Sequence, residues 1–421
     1  MKPILFSEKN GLAVTSSLNV GTQLYELYLA LQQFYSLGFS IFKGSKDNPD
    51  SASGCALSSS CTSGLGETDE FTVFHSWFIK AVAKWLDIAL YKAMVRIVKA
   101  VKLDDLKPVD ELSNHTSSAI DVRTVLCQIR TFWLQLAWPD VETSYVFISR
   151  ILDDVCRAII FYADKMCAKA EDEKKIATIG SKNLHCTKEQ CLAINNIDFV
   201  KSYINQFVSD LGIDKVLNKL EEQKGSLVAE ACRKTIRTLM KNSIENVENQ
   251  IFSILEDVGS KMAPTIEKFL FEGQVLSQDS EKKNLLEYLD ENLIFLKKRL
   301  NPANFERVLS VMWSVSSASL SDILHKSIEK KKPPEFFLAL YETFKILLNF
   351  FYGEKVPDDS NLLGTRKLLE IFSSSPAVLL DTFYRERWTV QNKPESSHSP
   401  LGSVTLKFLI TSSHLRFVCL K

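Results

Sequence analysis

The sequence predicts an all-α protein, and three observations carry that expectation. Apolar residues recur at three- and four-residue spacing through most of the chain, the mark of a buried helix face. The breaks in that rhythm fall at Gly, Pro, Asn and Asp, the residues that end or cap helices. Only the tail, from Val404 to Cys419, alternates with the period of a strand. With 421 residues and 45% apolar side chains, the chain can bury a sizeable core and fill about two or three domains.

Charge and cysteine usage exclude some classes. The 51 basic and 51 acidic residues cancel, so nothing global points to nucleic acid or an anionic membrane, and only local patches remain. Nine cysteines are scattered, an odd number, several on apolar helix faces where a free thiol acts as a small hydrophobe. A reduced, cytosolic setting is expected. No uninterrupted apolar run reaches membrane-spanning length. Ile4, Leu5 and Phe6 are too few for a secretory leader and meet Ser7-Glu8-Lys9 at once.

Residues 1–18 have no period and read as coil. Helix begins near Val20, with Leu24, Leu27, Leu31 and Phe34 expected on its buried face, and Gly44 stops the apolar stretch. Residues 44–70 are rich in Ser and Gly and nearly lack large apolar side chains. Burial cannot offset their ordering entropy, so a disordered loop within a helical array is predicted. Helix resumes at Phe71, with Trp77, Ala81, Trp85, Ile88 and Tyr91 in rhythm. Lys92, Arg96, Lys99 and Lys102 form a basic stripe, expected opposite Val95, Val98 and Val101. Such a face meets water, acidic lipid headgroups or an acidic partner helix. Asp104, Asp105 and Pro108 mark a loop.

The stretch His115–Met166 organises the chain. Val122, Leu126, Ile129, Trp133 and Leu136 make one apolar stripe; Val146, Ile148, Ile151, Val155, Ile159 and Tyr162 make the next. Trp138-Pro139-Asp140 separates them, which predicts two antiparallel helices hinged at a proline turn. Asp140 is placed to cap the second helix. Asp153 and Asp154 are neighbours on a helix, point about 100° apart and cannot share a substrate, so they read as surface. Residues 168–191 read as a charged loop. Its His185, Cys186 and Cys191 lack a second ligand pair at zinc spacing, so they read as incidental.

Long helices follow. Ile194, Ile197, Val200, Ile204, Phe207 and Leu211 define one; Val247, Ile251, Ile254 and Val258 end another, before Pro264 and Gly273. Leu286, Leu289, Leu293, Leu296 and Leu300 form a seam too short for a free coiled coil, to be packed within a bundle. Asn301-Pro302 precedes a helix with Phe305, Val308, Met312 and Val315. Lys330, Lys331 and Lys332, before Pro333-Pro334, make an exposed positive turn, solvated or in contact with lipid. Phe337, Leu340, Phe344, Leu347 and Phe351 face a core, and helix recurs through Leu363–Trp388. After a polar linker, the alternation around Thr411-Ser412-Ser413-His414 predicts a β-hairpin. No P-loop, GxGxxG, HExxH or GxSxG occurs, so a non-enzyme without cofactor or metal is expected.

The words SSAIDVRTVLCQIRTFWLQLAWPD and ILDDVCRAIIFYADKM resemble the first Munc homology domain of the Unc-13 family. NPANFERVLSVMWSV and LNFFYGEKVPDDSNLLGTRKLLEIFSSSPAVLLDTFYRERW resemble its second, and LGSVTLKFLITSSHLRFVCL resembles the first strands of the C2 domain that follows. Within the family, the Trp-Pro-Asp hinge is most similar to the brain-specific angiogenesis-inhibitor-associated branch. The resemblance implies an elongated rod of stacked antiparallel helical bundles, the MUN architecture shared with tethering complexes. It implies an N-terminal helix and loop over 1–70, the first homology domain within 71–260, the second over 261–390, and a linker with an incomplete C2 domain over 391–421. The calcium-binding loops of such a C2 domain would lie beyond Lys421.

The resemblance further implies a priming scaffold in exocytosis of regulated, dense-core type, binding syntaxin and other SNARE proteins. It would bridge vesicle and target membrane, as a cytoplasmic protein peripheral to plasma membrane, secretory vesicles or late endosomes. The alternative is a tether or adaptor in endosome-to-Golgi traffic that binds small GTPases or coiled coils. Well-studied members carry an exposed Asn-x-x-Phe pair tied to syntaxin opening. The matching positions here are Cys127 and Arg130, which with Arg123 form the candidate partner surface.

Overall fold

The structure, a computed structural model, describes residues 21–34, 36–37, 70–110, 113–177, 186–272, 284–353, 360–375, 377–381 and 384–385. Among them the chain forms helices, with one isolated antiparallel bridge between Pro108 and Thr116. The predicted loop over 44–70 and the predicted hairpin near the C-terminus lie outside the described residues. Two compact units are present; α8 contributes to both, and the boundary falls between Phe252 and Ser253.

The first unit opens with α1 (residues 21–34), then a 3₁₀ turn over Glu70–Phe78 and α2 over Ile79–Leu103. It continues through α3 (Ser117–Leu136), α4 (Val141–Ala177), α5 (Lys188–Lys201), α6 (Tyr203–Asp210), α7 (Ile213–Lys224) and the first part of α8 (Ser226–Glu272). The core surrounds α4, whose Ile148, Ile151, Leu152, Ile159, Tyr162 and Met166 are fully buried. Burying each aliphatic side chain contributes about 1.5–3 kcal/mol before entropy is counted. Two helices, α3 and α4, do flank Ala137–Asp140, but they scarcely pack on each other: α4 packs on α2 and α5, and α3 on α2 and α5, in place of the expected helix pair.

The hinge is built as its residue types dictate. Ala137 takes a left-handed conformation (φ 41°) and ends α3. The Asp140 carboxylate accepts from the Thr143 amide at 2.8 Å, the capping bond expected of it. The helix continues to Ala177, so part of the predicted charged loop at 168–191 is helix. Acidic and basic residues at i,i+4 spacing extend a helix past the end of its apolar stripe. At Thr187 a capping box with Gln190 starts α5. The single helix expected over 194–211 is two, α5 and α6, meeting at Ser202.

Several expected faces need correction. On α1 the buried residue is Tyr28, while Leu24, Leu27 and Phe34 are exposed. Tyr28 Oη donates to the Leu136 carbonyl at 2.7 Å and Gln32 Nε2 to the same oxygen at 3.1 Å. An orphan carbonyl at the end of α3 thus sets how α1 docks, and an apolar count does not see that. Val146 is exposed, with Phe147 buried in its place. Asp154, expected at the surface, is buried beside Arg157 and Arg150, and burial raises its pKa.

The second unit holds the end of α8, then α9 (Leu285–Lys297), α10 (Pro302–Glu329), α11 (Pro334–Tyr352) and α12 (Ser360–Ser373). Pro264 lies inside α8 rather than after it. Asn284 opens α9 with a second capping box to Glu287, and the seam is Leu285, Leu289, Leu293 and Leu296, with Leu285 in place of Leu286. Gly259 lets α8 approach α10: a Cβ there would lie 2.9 Å from Val311 Cγ1. Trp313 of α10 meets the rings of Phe351 and Tyr352 at 5.7 and 5.3 Å, and Gly353 (φ 57°) stops α11.

Candidate interaction surfaces

Arg123, Cys127 and Arg130 are one turn apart on α3, so one flank presents all three. The structure brings that flank against α5 and α6. The Arg123 guanidinium lies 4.6 Å from the Phe199 ring centroid and 4.9 Å from that of Tyr203. His115 stacks on the other part of this ladder, 4.1 Å from Phe199. Cys127 Sγ is 3.1 Å from Tyr203 Oη, and Arg130 Nη1 pairs with Asp210 at 2.5 Å. Burial, with help from Cys127, pushes the Tyr203 phenol up to about 12, so it stays protonated. The three predicted residues are therefore half-buried and held by their own chain rather than displayed freely. His115, Phe199, Tyr203 and Asp210 carried no local signal, because most of the partners meet across 70 or more positions.

The basic stripe of α2 is exposed at Lys92, Arg96, Lys99 and Lys102. Val101 is buried, but Val95 and Val98 are 50% and 43% exposed, so they share the cationic face instead of opposing it. The buried face is Val82, Leu86, Ala93, Ile97 and Val101. Arg96 donates to the Gln128 side chain. A groove of about 300 Å³ runs between α1, α2 and α3, floored by Tyr25, Trp85, Ile129 and Phe132 with Lys92 and Arg96 at its rim.

In the second unit Lys330, Lys331 and Lys332 are exposed at the α10–α11 turn, as expected. Lys331 has φ 51°, and Lys332 Nζ stands 5.8 Å above the Phe336 ring. Cys186 and Cys191 are buried, and His185 lies outside the described residues. Among the described residues no three His, Cys, Asp or Glu side chains converge as metal ligands would. No described helix is long and apolar enough to cross a membrane.

Two half-buried histidines make stability depend on pH. His75 packs edge-on against Trp138 at 5.4 Å, and burial lowers its pKa from 6.5 against the opposing pull of Asp140. Burial likewise lowers His115, with Arg123 adding to the effect and Asp110 opposing it. The unfolded chain therefore binds more protons as pH falls through about 6.5, and the folded state loses stability there. The melting temperature should drop between pH 7.5 and pH 5.5, and His75→Phe with His115→Phe should flatten that drop.

Helices packed around a buried polar and aromatic frame, with a cationic face on α2 exposed, define an all-helical module. The chain belongs to the MUN domain family: the family model matches residues 65–334. It is 36% identical over 95% of its length to Protein unc-13 homolog 4B of Drosophila melanogaster, covering 33% of that protein. It is 24% identical over 93% of its length to Protein unc-13 homolog D of Rattus norvegicus, covering 34% of it. It is 26% identical over 74% of its length to BAI1-associated protein 3 of Mus musculus, covering 27% of it. The chain spans about a third of the length of the curated relatives it matches.

Proposed function

We propose that the chain is a non-enzymatic priming module of vesicle exocytosis. In this role it binds syntaxin and other SNARE proteins and works peripherally at the vesicle and target membranes of regulated, dense-core secretion. Membership of the MUN domain family, over residues 65–334, carries this reading. The local geometry supports it. Arg123 and Arg130 are already held by Phe199, Tyr203 and Asp210. Side chains fixed before binding lose little rotamer entropy when a partner helix docks. Arg123 makes ring contacts and no hydrogen bond among the described residues, so its donors suit the carboxylates of an acidic helix.

The test is calorimetric titration of the whole chain with the cytoplasmic region of syntaxin. Saturable binding is expected, weakened about tenfold by Arg130→Ala, a loss of roughly 1.4 kcal/mol. Arg130→Lys should recover only part of it, because an ammonium lacks the planar fork. Melting curves of both variants separate lost contact from lost fold, since an ion pair this exposed contributes about 1 kcal/mol or less. Absence of binding to syntaxin and to an assembled SNARE bundle would overturn the proposal.

A further inference from the structure

The outer face of α2 combines two features that the sequence pattern had placed on opposite sides. The helix carries six cations and one acid, Asp87, which pairs with Arg150. Lys80, Lys84, Lys92, Lys99 and Lys102 form no ion pair among the described residues. Between them stand apolar side chains in water: Tyr91 is 42% exposed, Val95 50%, Val98 43% and Leu103 70%. At 100° per residue, Lys84, Tyr91, Val95, Val98, Lys99 and Lys102 fall within an arc of about 100°. From Lys84 to Lys102 that strip runs about 27 Å.

We infer that this strip is a docking face for an anionic lipid bilayer, with the lysines on headgroup phosphates and carboxylates and Val95 and Val98 inserted between them. The inference rests on the reading that the chain works at membranes, and it names the surface used. Charge complementarity selects the occupant. A partner helix with acidic residues is best recognised by guanidinium forks in fixed places. Here five of the six cations are lysines, compact charges without directional demand, and the single arginine, Arg96, is engaged by Gln128. Exposed apolar side chains interleaved with lysine on a helix flank are what an interfacial helix presents to headgroups and the outer acyl region. The opposite flank is anchored in the core by Val82, Leu86, Ala93 and Ile97, so the face is rigid before it meets lipid.

Sedimentation of the full chain with vesicles tests this. Binding is expected to vesicles of phosphatidylcholine with about 30% phosphatidylserine, not to phosphatidylcholine alone, and it should weaken steeply with salt. Combined Lys84→Ala, Lys99→Ala and Lys102→Ala should lower it on the order of 100-fold, since each lysine near an anionic surface is worth about fivefold. Val95→Ser with Val98→Ser should lower it too, while the salt dependence remains. All five positions are exposed, so melting should not move. Wild-type chain that ignores anionic vesicles, or a lysine variant that binds like wild type, would overturn the inference. Unchanged binding of the valine variant would overturn insertion. If the lysine variant instead loses an acidic protein partner in solution while the wild type ignores vesicles, the face belongs to that partner. Syntaxin titration of the same variants should be unchanged, which keeps failure of the lipid face distinct from failure of SNARE binding.

Discussion

Trp138→Ala is expected to destabilise the first unit by about 3–5 kcal/mol, the range for truncating a buried large aromatic. Trp138 is 8% exposed and lies at the centre of the hinge. Its ring stacks on Tyr28 at 6.0 Å and meets Phe147 edge-on at 5.3 Å. Its indole Nε1 donates to Thr143 Oγ1 at 2.6 Å, and that hydroxyl donates to Asp140 Oδ2. Truncation removes the platform under α1, the contact with α4 and one arm of the cap together. Urea unfolding followed by circular dichroism should show the loss, and hydrogen exchange should show α1 opening first. A loss under about 1 kcal/mol would mean the hinge is only a connector. Trp138→Phe keeps part of the ring packing and removes the donor, so it should cost less than the alanine change but more than the roughly 1 kcal/mol of the hydrogen bond alone.

Asp104→Ala is the second large effect, also about 3–5 kcal/mol, because it strips several buried donors of one acceptor. Asp104 is 2% exposed. Its carboxylate accepts from the Leu106 amide at 2.8 Å, the Ser118 amide at 3.2 Å and the Thr116 hydroxyl. The Ser118 bond caps α3 from a distance, since Thr116 in the N-cap position makes no side-chain capping bond of its own. The Leu106 bond supports a residue held at φ 52°. Asn196 completes the network, accepting from the Thr116 amide at 2.8 Å and donating to its hydroxyl at 2.7 Å. Asp104→Asn preserves shape and one acceptor, so it should cost about half as much. If thermal unfolding finds the alanine variant equal to wild type, the α2–α3 loop does not depend on this carboxylate.

Strongly amphipathic segments were legible. The α3 stripe Val122, Leu126, Ile129, Trp133 and Leu136 is buried throughout, as its spacing required. The Trp-Pro-Asp punctuation became a turn, because Pro139 and Asp140 have one local consequence each. Legibility failed where long-range polar contacts chose the face. Leu24 and Leu27 yielded to Tyr28 because α1 docks through hydrogen bonds to the end of α3. Val95 and Val98 were expected opposite the basic stripe, yet α2 is pinned by Ala93 and Ile97, which lie about 100–160° round the helix from them. Pro264 was taken as a terminus although its helix continues, since packing can outweigh one lost backbone bond. The partners of Arg123 and Arg130 were invisible because Phe199, Tyr203 and Asp210 lie in other helices. Cys127 and Arg130 were singled out only through the family resemblance, not by their spacing.

Reconstituted fusion tests the central claim most directly. Vesicles bearing syntaxin and its target-membrane partner are mixed with vesicles bearing the complementary SNARE, with and without the whole chain, and lipid mixing is followed by fluorescence. A priming module predicts faster lipid mixing with the chain present, reduced by Arg130→Ala in proportion to lost syntaxin affinity. Equal rates with and without the chain, alongside absent syntaxin binding, would contradict it.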